Sequence, residues 1–447
     1  MLQARLTLEV ASVVSAWQDR CMRWYASLTK PEKVLLWFTA VAVFFGLLVR
    51  IWNITFPEKQ VFDEVYFPVM ATQYLGGVDV FDVHPPLGKL IIAGGIWLFG
   101  DTFFGWRIMP LIAGCLLIFG MSLMYWRLFN DRIGAWMMAI IIALEGILIV
   151  YSRVGLMDGV LFLATFLAFY LGTRVRDGRS MALFGIALGL AVSIKWPAAA
   201  VLPAVFWFTI RDKQYLRILG SLGISLVVYV LVVAFGEWLD GARGISSIYA
   251  AVVEWHSQTA SYHAHLTATH PWSSPWYTWP VMDRPVLLIY DTLQSGSARI
   301  MTTIGNPLWW WASSALTLGS VLWIFWDSML VKGKLLKPRE YLRAVWNHEL
   351  TPYLIGYFAA WLPWAFIGRV IFLYHYLPAY GFALIILVFW LRKLWSARPH
   401  WVLLFLGLGF LSFMYFLPWS IGWISMTQQQ VQEHTWLPNW LAATATY

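Results

Sequence analysis

The stretch VFDEVYF, residues 61–67, is the part of the sequence that most restricts the fold. Two adjacent carboxylates, Asp63 and Glu64, follow the first long apolar segment of the chain, about 34–52. Ionisable side chains beside a membrane segment are costly, and this cost favours a functional interpretation of the pair. The alternative interpretation is a helix cap, because carboxylates at a helix N-terminus are stabilised by the helix dipole.

The composition of the chain indicates a protein embedded in a lipid bilayer. Of its 447 residues, 60% are hydrophobic and 12% are charged, which is more apolar surface than a water-soluble fold can hide. Many of the 30 tryptophans stand near the ends of apolar segments, as in the aromatic belts of membrane proteins. The net charge of +8 follows membrane topology and does not indicate binding to nucleic acid.

Apolar runs of roughly twenty residues predict about eleven transmembrane helices. The predicted spans are 34–52, 104–126, 133–150, 156–173, 181–195, 197–210, 218–236, 306–326, 352–367, 374–391 and 400–420. A further apolar run, 86–99, is too short to cross comfortably and predicts an interfacial helix. The expected fold class is therefore an all-α polytopic membrane protein.

The distribution of lysine and arginine predicts the orientation of these spans. With the N-terminus in the cytosol, the cytosolic pieces hold 21 of the 31 basic residues, in agreement with the positive-inside rule. The chain then divides into a cytosolic segment, 1–33, a transmembrane domain, 34–420, and an outer tail, 421–447. Two long loops are expected outside: loop one (53–103), which contains the acidic pair, and loop two (237–305).

Loop one contains a second motif, FDVHPPLGK, at residues 81–89. Its two prolines disfavour a preceding helix and fix an extended turn, which would hold Asp82 and His84 in place. These side chains are suited to contact an acceptor, a phosphate or a metal ion. The alternative interpretation is a loop that only starts the following helix.

The acidic pair followed by D-x-H-P-P-x-G-K resembles the protein O-mannosyltransferase family, whose members are multi-spanning glycosyltransferases that use a polyprenyl-phosphate-linked sugar. Similar segments recur at 104–110 (FGWRIMP), 151–158 (YSRVGLMD), 270–280 (HPWSSPWYTWP) and 369–378 (RVIFLYHYLP). Eukaryotic members carry a β-trefoil domain in the second large outer loop, and loop two is too short for one, so the chain resembles the bacterial type. The resemblance implies a glycosyltransferase C-type fold, with an outward-facing active site and interfacial helices in loop one.

The resemblance also implies roles for individual side chains. Asp63 is the expected base that removes the proton of an acceptor hydroxyl, and Glu64 is expected to place the acceptor or to orient Asp63. The residues expected to bind the acceptor or the sugar are Asp82, His84, His270, Trp276, Trp279 and His375. For the aromatic residues of 270–280, the alternative is anchoring of loop two at the bilayer interface.

Basic residues at the outer ends of spans are expected to bind the donor phosphate, because charge-assisted bonds to phosphate are strong in a low dielectric. They are Arg107, Arg153, Lys195 and Arg369. The alternatives are a local ion pair between Arg153 and Asp158, and snorkelling or interhelical pairing for the others. A divalent cation is left open, because related lipid-linked glycosyltransferases differ in their use of one.

The implied reaction is an inverting, single-step transfer of mannose from polyprenyl-phosphate-mannose to Ser/Thr hydroxyls of exported proteins, at the outer face of the cell membrane. The expected partners are the lipid donor, a secreted or membrane protein acceptor and membrane lipids, without nucleic acid. The nearest alternative is a lipid-carrier transferase of another sugar, such as an aminopentose, to lipid A or a cell-wall glycan, since one fold serves several chemistries. A more distant alternative is a transporter, which predicts inverted repeats and charges deep within spans.

Overall fold

The computed structural model describes residues 2–78, 80–331, 334–335 and 337–441 of the chain. The α-helices in chain order are α1 (Leu2–Ser27), α2 (Lys30–Ile51), α3 (Phe67–Gly76), α4 (Leu87–Phe99), α5 (Phe103–Phe129), α6 (Arg132–Ala143), α7 (Gly146–Tyr151), α8 (Asp158–Gly172), α9 (Gly178–Val192), α10 (Leu202–Asp212), α11 (Tyr215–Leu239), α12 (Ile245–His265), α13 (Pro307–Met329), α14 (Pro338–Asn347), α15 (Thr351–Trp361), α16 (Leu377–Ala397), α17 (Pro399–Ile421) and α18 (Gln428–His434). Short 3₁₀ turns lie at Phe62–Val65, Trp196–Val201, Trp276–Val281, Leu362–Phe366, Leu373–Tyr376 and Pro438–Trp440. The end of the expected outer tail, 442–447, lies outside the described residues.

Six helices of the described chain are long and apolar enough to cross a membrane. They are α2, α5, α11, α13, α16 together with the turn before it, and α17. The other five predicted spans also coincide with helical structure, but as shorter or interrupted helices. The multi-spanning helical fold is therefore confirmed, while the count of eleven crossings stays a prediction. A helix also forms over the predicted interfacial segment, as α4.

The predicted span 133–150 is broken between α6 and α7, at the buried carboxylate of Glu145. This carboxylate accepts hydrogen bonds from the backbone N–H of Asn306 at 2.8 Å and from the hydroxyl of Tyr380 at 2.9 Å. A buried carboxylate needs such partners. The break lets Glu145 connect the α6–α7 junction to the start of α13 and to α16.

Helix α16 forms the centre of the molecule, and its residues from Leu377 to Phe389 are all buried. It packs against α6, α8, α13, α15 and α17. A helix that is apolar on every side is stable only when other helices surround it. The core therefore lies around α16, and the loops at its N-terminal end carry the site described below.

A small antiparallel sheet, which the sequence analysis did not predict, joins loop two to the C-terminal tail. Strand β1 (Leu287–Thr292) pairs with β2 (Ala298–Thr302) in a register that places Tyr290 opposite Ile300. A separate antiparallel pair of two-residue strands follows α13 and consists of β3 (Leu330–Val331) and β4 (Lys334–Leu335). Strand β5 (Ser425–Met426) of the tail completes the first sheet in the order β1-β2-β5.

Candidate active site

Asp63 lies in the 3₁₀ turn Phe62–Val65, immediately before α3. No residue that the structure describes donates a hydrogen bond to its carboxylate, and the side chain does not cap α3, whose N-cap is Tyr66. Burial raises the pKa of Asp63 to about 6, against the opposing positive charge of Lys195. A carboxylate whose pKa lies close to neutrality is well matched to accept a proton from a hydroxyl.

The neighbouring Glu64 is fully buried and forms a bidentate ion pair with Arg107. Nε of Arg107 donates to Oε1 of Glu64 at 2.8 Å, and Nη2 donates to Oε2 at 2.9 Å. The backbone N–H of Gly155 donates to the same Oε1 at 2.6 Å. Glu64 therefore joins loop one to α5 and to the segment before α8, and its carboxylate is not open to an acceptor.

Arg107 is also fully buried and donates to the backbone of loop one. Its Nη1 donates to the carbonyl oxygen of Thr55 at 2.9 Å and of Ile54 at 3.3 Å, and Nη2 donates to that of Lys59 at 3.3 Å. All three guanidinium nitrogens thus have partners within the protein. These bonds support a positioning role for Arg107 in the loop that carries Asp63, in place of the expected contact with the donor phosphate.

Arg153 differs from its expected role in the same way. Its guanidinium donates to the carbonyls that end α2, including those of Val49 at 2.7 Å, Trp52 at 2.8 Å and Asn53 at 2.9 Å. The last carbonyls of a helix have no partner within the helix, and Arg153 supplies that partner while it is fully buried against the ring of Trp423. Arg153 forms no ion pair with Asp158 in the described chain, and its carbonyl partners support a structural role in place of the expected contact with the donor phosphate.

Asp158 instead pairs with Lys195, whose Nζ lies 2.9 Å from Oδ1 of the carboxylate. Both side chains are more than nine-tenths buried. The Lys195 ammonium also lies 5.7 Å from the ring centroid of Phe67 and 5.2 Å from that of Tyr374. These contacts fix the position of a buried cation whose charge acts on Asp63.

A cavity of about 970 Å³ opens beside this cation. Its polar wall includes Lys195, Arg369, His84, His263 and His375. None of the described residues that line it is acidic. A cavity with two cations and no lining carboxylate is suited to hold an anion.

The other wall of the cavity is apolar. It includes Ala359, Ala360, Pro363, Phe366 and Ile367, between α15 and the segment that leads to Arg369. Phe366 is 89% exposed, so this wall continues into an exposed apolar surface. The cavity therefore offers a cationic end and an apolar end, which suit one ligand with an anionic group and a hydrocarbon chain.

Arg369 is the cation of this cavity that remains most available to a ligand. Its guanidinium is half-buried and makes one hydrogen bond within the described chain, from Nη1 to its neighbour's carbonyl, that of Val370, at 3.2 Å. No described carboxylate lies within ion-pair distance of it. Asp63 does not line the cavity itself, and Lys195 forms the electrostatic connection between the two.

Asp82 and His84 have different environments in the second motif. Asp82 is buried against Lys89, with 2.5 Å between Oδ2 and Nζ, and its Oδ1 accepts from the backbone N–H of His84 at 2.9 Å. Asp82 therefore shapes the turn and is not open to an acceptor, contrary to expectation. His84 lines the cavity, and burial lowers the pKa of its imidazole well below the usual range, so the ring is neutral.

Two residues of α12, which the sequence analysis missed, hold this turn. Nε1 of Trp255 donates to the carbonyl oxygen of Asp82 at 2.8 Å, and Nε2 of His263 lies 2.9 Å from that of Val83. Trp255 and His263 stand eight residues apart, which places them on one face of a helix. That spacing was visible in the sequence, but it did not predict a contact with the turn, because the position of α12 depends on the tertiary structure.

The aromatic segment of loop two supports anchoring more than sugar binding. Trp279 is fully buried, donates through Nε1 to the Ser274 hydroxyl at 2.9 Å and stacks on His375 at 6.1 Å. Trp276 packs edge-on against Trp361 at 5.3 Å and does not line the cavity. The sugar-binding expectation for these two tryptophans is therefore not supported by their positions.

The rings of the two remaining histidines of the expected set, His270 and His375, both lie close to that of Phe372. His270 accepts through Nδ1 from the backbone N–H of Trp272 at 3.1 Å, and its ring packs against Phe62, which precedes Asp63. His375 accepts through Nδ1 from the backbone N–H of Phe372 at 3.0 Å and lines the cavity. Among the residues that the structure describes, no group of three or more His, Cys, Asp or Glu side chains is arranged to hold a metal ion.

Comparison with known proteins agrees with this arrangement along nearly the whole chain. Residues 40–103 and 83–239 match family models described as dolichyl-phosphate-mannose-protein mannosyltransferase. Residues 248–440 match the C-terminal four-transmembrane region of protein O-mannosyltransferase. The chain is 25% identical to a polyprenol-phosphate-mannose–protein mannosyltransferase of Corynebacterium glutamicum, over 90% of this chain and 92% of that protein. The protein of the same name from Mycobacterium tuberculosis is 24% identical, over 71% and 72% of the two chains.

Solved structures share the fold. The Saccharomyces cerevisiae protein O-mannosyltransferase Pmt1–Pmt2 complex bound to the sugar donor superimposes with a TM-score of 0.77 at 16% identity, over 92% of this chain and 93% of that chain. ArnT from Cupriavidus metallidurans bound to undecaprenyl phosphate gives a TM-score of 0.52 at 14% identity, over 86% and 62% of the two chains. The family models, the curated relatives and the shared fold agree: this chain belongs to the protein O-mannosyltransferase family.

Proposed function

We propose that this protein transfers mannose from polyprenyl-phosphate-mannose to serine or threonine hydroxyls of proteins, at the outer face of the cell membrane. The observation that carries the proposal is the carboxylate of Asp63, whose charge interacts with that of the buried Lys195. Among the described residues, no donor forms a hydrogen bond to this carboxylate, and its pKa is raised to about 6. Lys195, whose charge acts on it, lines a cavity that has no acidic residue in its described wall. The names of the relatives, which specify a polyprenol-phosphate-mannose donor and a protein acceptor, support the same substrates.

The donor lipid would bind in the 970 Å³ cavity, with its phosphate between Lys195 and Arg369. Arginine offers a planar fork of donors that matches two phosphate oxygens, and lysine adds a point charge. The isoprenoid chain would lie along the apolar wall toward Phe366, where exposed hydrocarbon surface continues. His84 and His375, which line the cavity, would face the phosphate or the sugar, because imidazole nitrogens form hydrogen bonds with either group.

The chemical step follows from these positions. The acceptor hydroxyl oxygen attacks the anomeric carbon as its proton passes to the carboxylate of Asp63. The bond between the anomeric carbon and the phosphate oxygen breaks, and its electron pair leaves with the polyprenyl phosphate. Lys195 and Arg369 stabilise the negative charge that develops on that oxygen. Attack from the side opposite the leaving group inverts the anomeric configuration.

The location of the reaction is part of the proposal. The positive-inside distribution of basic residues supports a cytosolic N-terminus and places loop one and loop two outside the cell membrane. An acceptor would then meet the site after export, and the donor would enter from the lipid layer. Side-chain cations can supply the charge that the leaving group needs.

The proposal is tested with the full chain purified and reconstituted in vesicles. Labelled polyprenyl-phosphate-mannose and a Ser/Thr-containing peptide are expected to yield labelled glycopeptide in the wild type, but not in Asp63→Asn. The control is Asp291→Asn, which removes an acid of loop two that pairs with half-exposed Lys59. Transfer of an aminopentose to lipid A, without transfer of mannose to peptide, would contradict the proposal and favour the alternative.

A further inference from the structure

We propose that α12 holds His84 in the wall of the donor cavity, and that Trp255 and His263 are positioning residues for the transfer reaction. The inference rests on the proposed function, in which His84 faces the bound donor. Neither residue needs to touch the substrate, because both act on the backbone of the turn Asp82–His84. Loop two would then control the geometry of a motif that belongs to loop one.

The contacts between α12 and the turn form a continuous row. The ring of Tyr262 lies 6.0 Å from that of Phe81, Trp255 donates to the Asp82 carbonyl and His263 contacts the Val83 carbonyl. The two hydrogen bonds, at 2.8 and 2.9 Å, therefore engage consecutive peptide units immediately before His84. Fixing two consecutive carbonyls leaves the following residue little rotational freedom.

The protonation of His263 is determined by its partner. A carbonyl oxygen only accepts, so Nε2 of His263 must carry the proton. Nδ1 is buried and has no partner among the described residues. Burial lowers the pKa of His263, which favours the neutral ring that this arrangement requires. The same ring lies 5.9 Å from that of His84, with 31° between the planes.

The burial of α12 shows which of its contacts matter for its position. Only Trp255 and Thr259 are buried within this 21-residue helix. Trp255, Thr259 and His263 follow one another at intervals of four, so they form one face, which is the face against the turn. The end of the same helix, from His263 to His265, lines the donor cavity. Helix α12 thus contacts the turn and the cavity at once.

A double-mutant cycle tests whether His263 acts through His84. The full chain is reconstituted as wild type, His263→Leu, His84→Ala and the double variant, and kcat/KM for mannosyl transfer is measured. We expect His263→Leu to lower kcat/KM by about tenfold, on the scale of a small misplacement of a site group. In the His84→Ala background the same change is expected to alter kcat/KM by less than about twofold.

Three further variants separate positioning from general structural damage. His263→Gln keeps an N–H that can reach the Val83 carbonyl and is expected to restore most of the activity. Trp255→Phe removes one N–H but keeps an aromatic ring, and it should repeat the coupling to His84 if His263→Leu proves unstable. His256→Phe is the matched control, because His256 lies on the same helix and bonds to Tyr229 of α11 at 2.9 Å. It is expected to leave kcat/KM unchanged.

The outcomes of this experiment are distinguishable. Equal effects of His263→Leu with and without His84 would overturn the inference, as would an equal loss in His256→Phe. Full activity of His84→Ala would show that the reaction does not need His84, and it would also overturn the inference. The proposed function would not be affected, because the wild type would still transfer mannose. Absence of transfer by the wild type is a failure of the proposed function itself.

Discussion

The carboxylate of Glu64 and the guanidinium of Arg107 form two parallel hydrogen bonds, at 2.8 and 2.9 Å, and neither side chain is exposed to solvent. The pair lies one residue from Asp63 and draws the backbone of 54–59 toward α5 through further bonds from Arg107. The two adjacent acids of this motif therefore have different roles. Glu64 fixes the loop, and Asp63 keeps a carboxylate without a hydrogen-bond donor.

Breaking this pair is expected to destabilise the protein. Glu64→Gln leaves the buried charge of Arg107 uncompensated, which costs about 3–5 kcal/mol of folding free energy in other proteins. The measurement is thermal or denaturant unfolding in detergent. The control is Lys59→Met, which removes a pair between half-exposed Lys59 and Asp291 and is expected to cost less than about 1 kcal/mol. A Glu64→Gln protein as stable as wild type would contradict the assigned role.

Activity is expected to fall on the acid side of neutrality because of Asp63. The group must be deprotonated to act as a base, and burial raises its pKa to about 6. The value of kcat/KM should therefore be close to its maximum above pH 7 and decline tenfold per pH unit well below pH 6. The check is a pH–rate profile of the reconstituted enzyme, with its stability measured at each pH. A profile flat down to pH 5 would remove Asp63 as the base.

The acid limb of that profile should respond to the neighbouring charges in opposite directions. Lys195 lowers the pKa of Asp63, so Lys195→Met should move the limb to higher pH, whereas Asp158 raises that pKa, so Asp158→Asn should move it to lower pH. The opposite signs distinguish an electrostatic effect from simple damage to the fold. Equal shifts in the same direction would exclude the electrostatic coupling described here.

Two arginines that the sequence analysis treated alike are expected to behave differently. Arg369→Ala should weaken use of the donor by about 2–5 kcal/mol, as for other desolvated charge contacts, with folding stability kept. Arg153→Ala should instead lower folding stability, because the carbonyls that end α2 lose their donors. Donor titration and unfolding are measured for both variants, with Arg369→Lys as a partial rescue. Equal effects on both quantities would show that the two arginines share one role.

The proposed orientation predicts a pattern of chemical labelling. In a variant without Cys21 and Cys115, a cysteine introduced at exposed Tyr277 should react with a membrane-impermeant thiol reagent in intact cells. A cysteine introduced at exposed Arg179, in the first turn of α9, should react only after lysis. The reversed pattern would place the site on the cytosolic side and would exclude acceptors that are modified after export.

The class of the protein and part of its site could be predicted from the sequence, because they depend on local patterns. Apolar run length reports directly on the capacity to cross a bilayer, and the helices do form over the predicted segments. The acidic pair, His84, Lys195 and Arg369 stand in short motifs, and the last three do line one cavity. Local pattern was also enough to identify the family.

The partner of each buried polar group was decided only by the tertiary structure. Arg107 and Arg153 read as ligand-binding residues, but their partners are an acid and carbonyls that the fold brings near. A buried charge must be satisfied by whichever group the packing places beside it, and packing joins residues 43 to 180 positions apart. For the same reason, the role of α12 could not be predicted from the sequence. Trp255 and His263 contact the turn of loop one only because the fold places this helix over it.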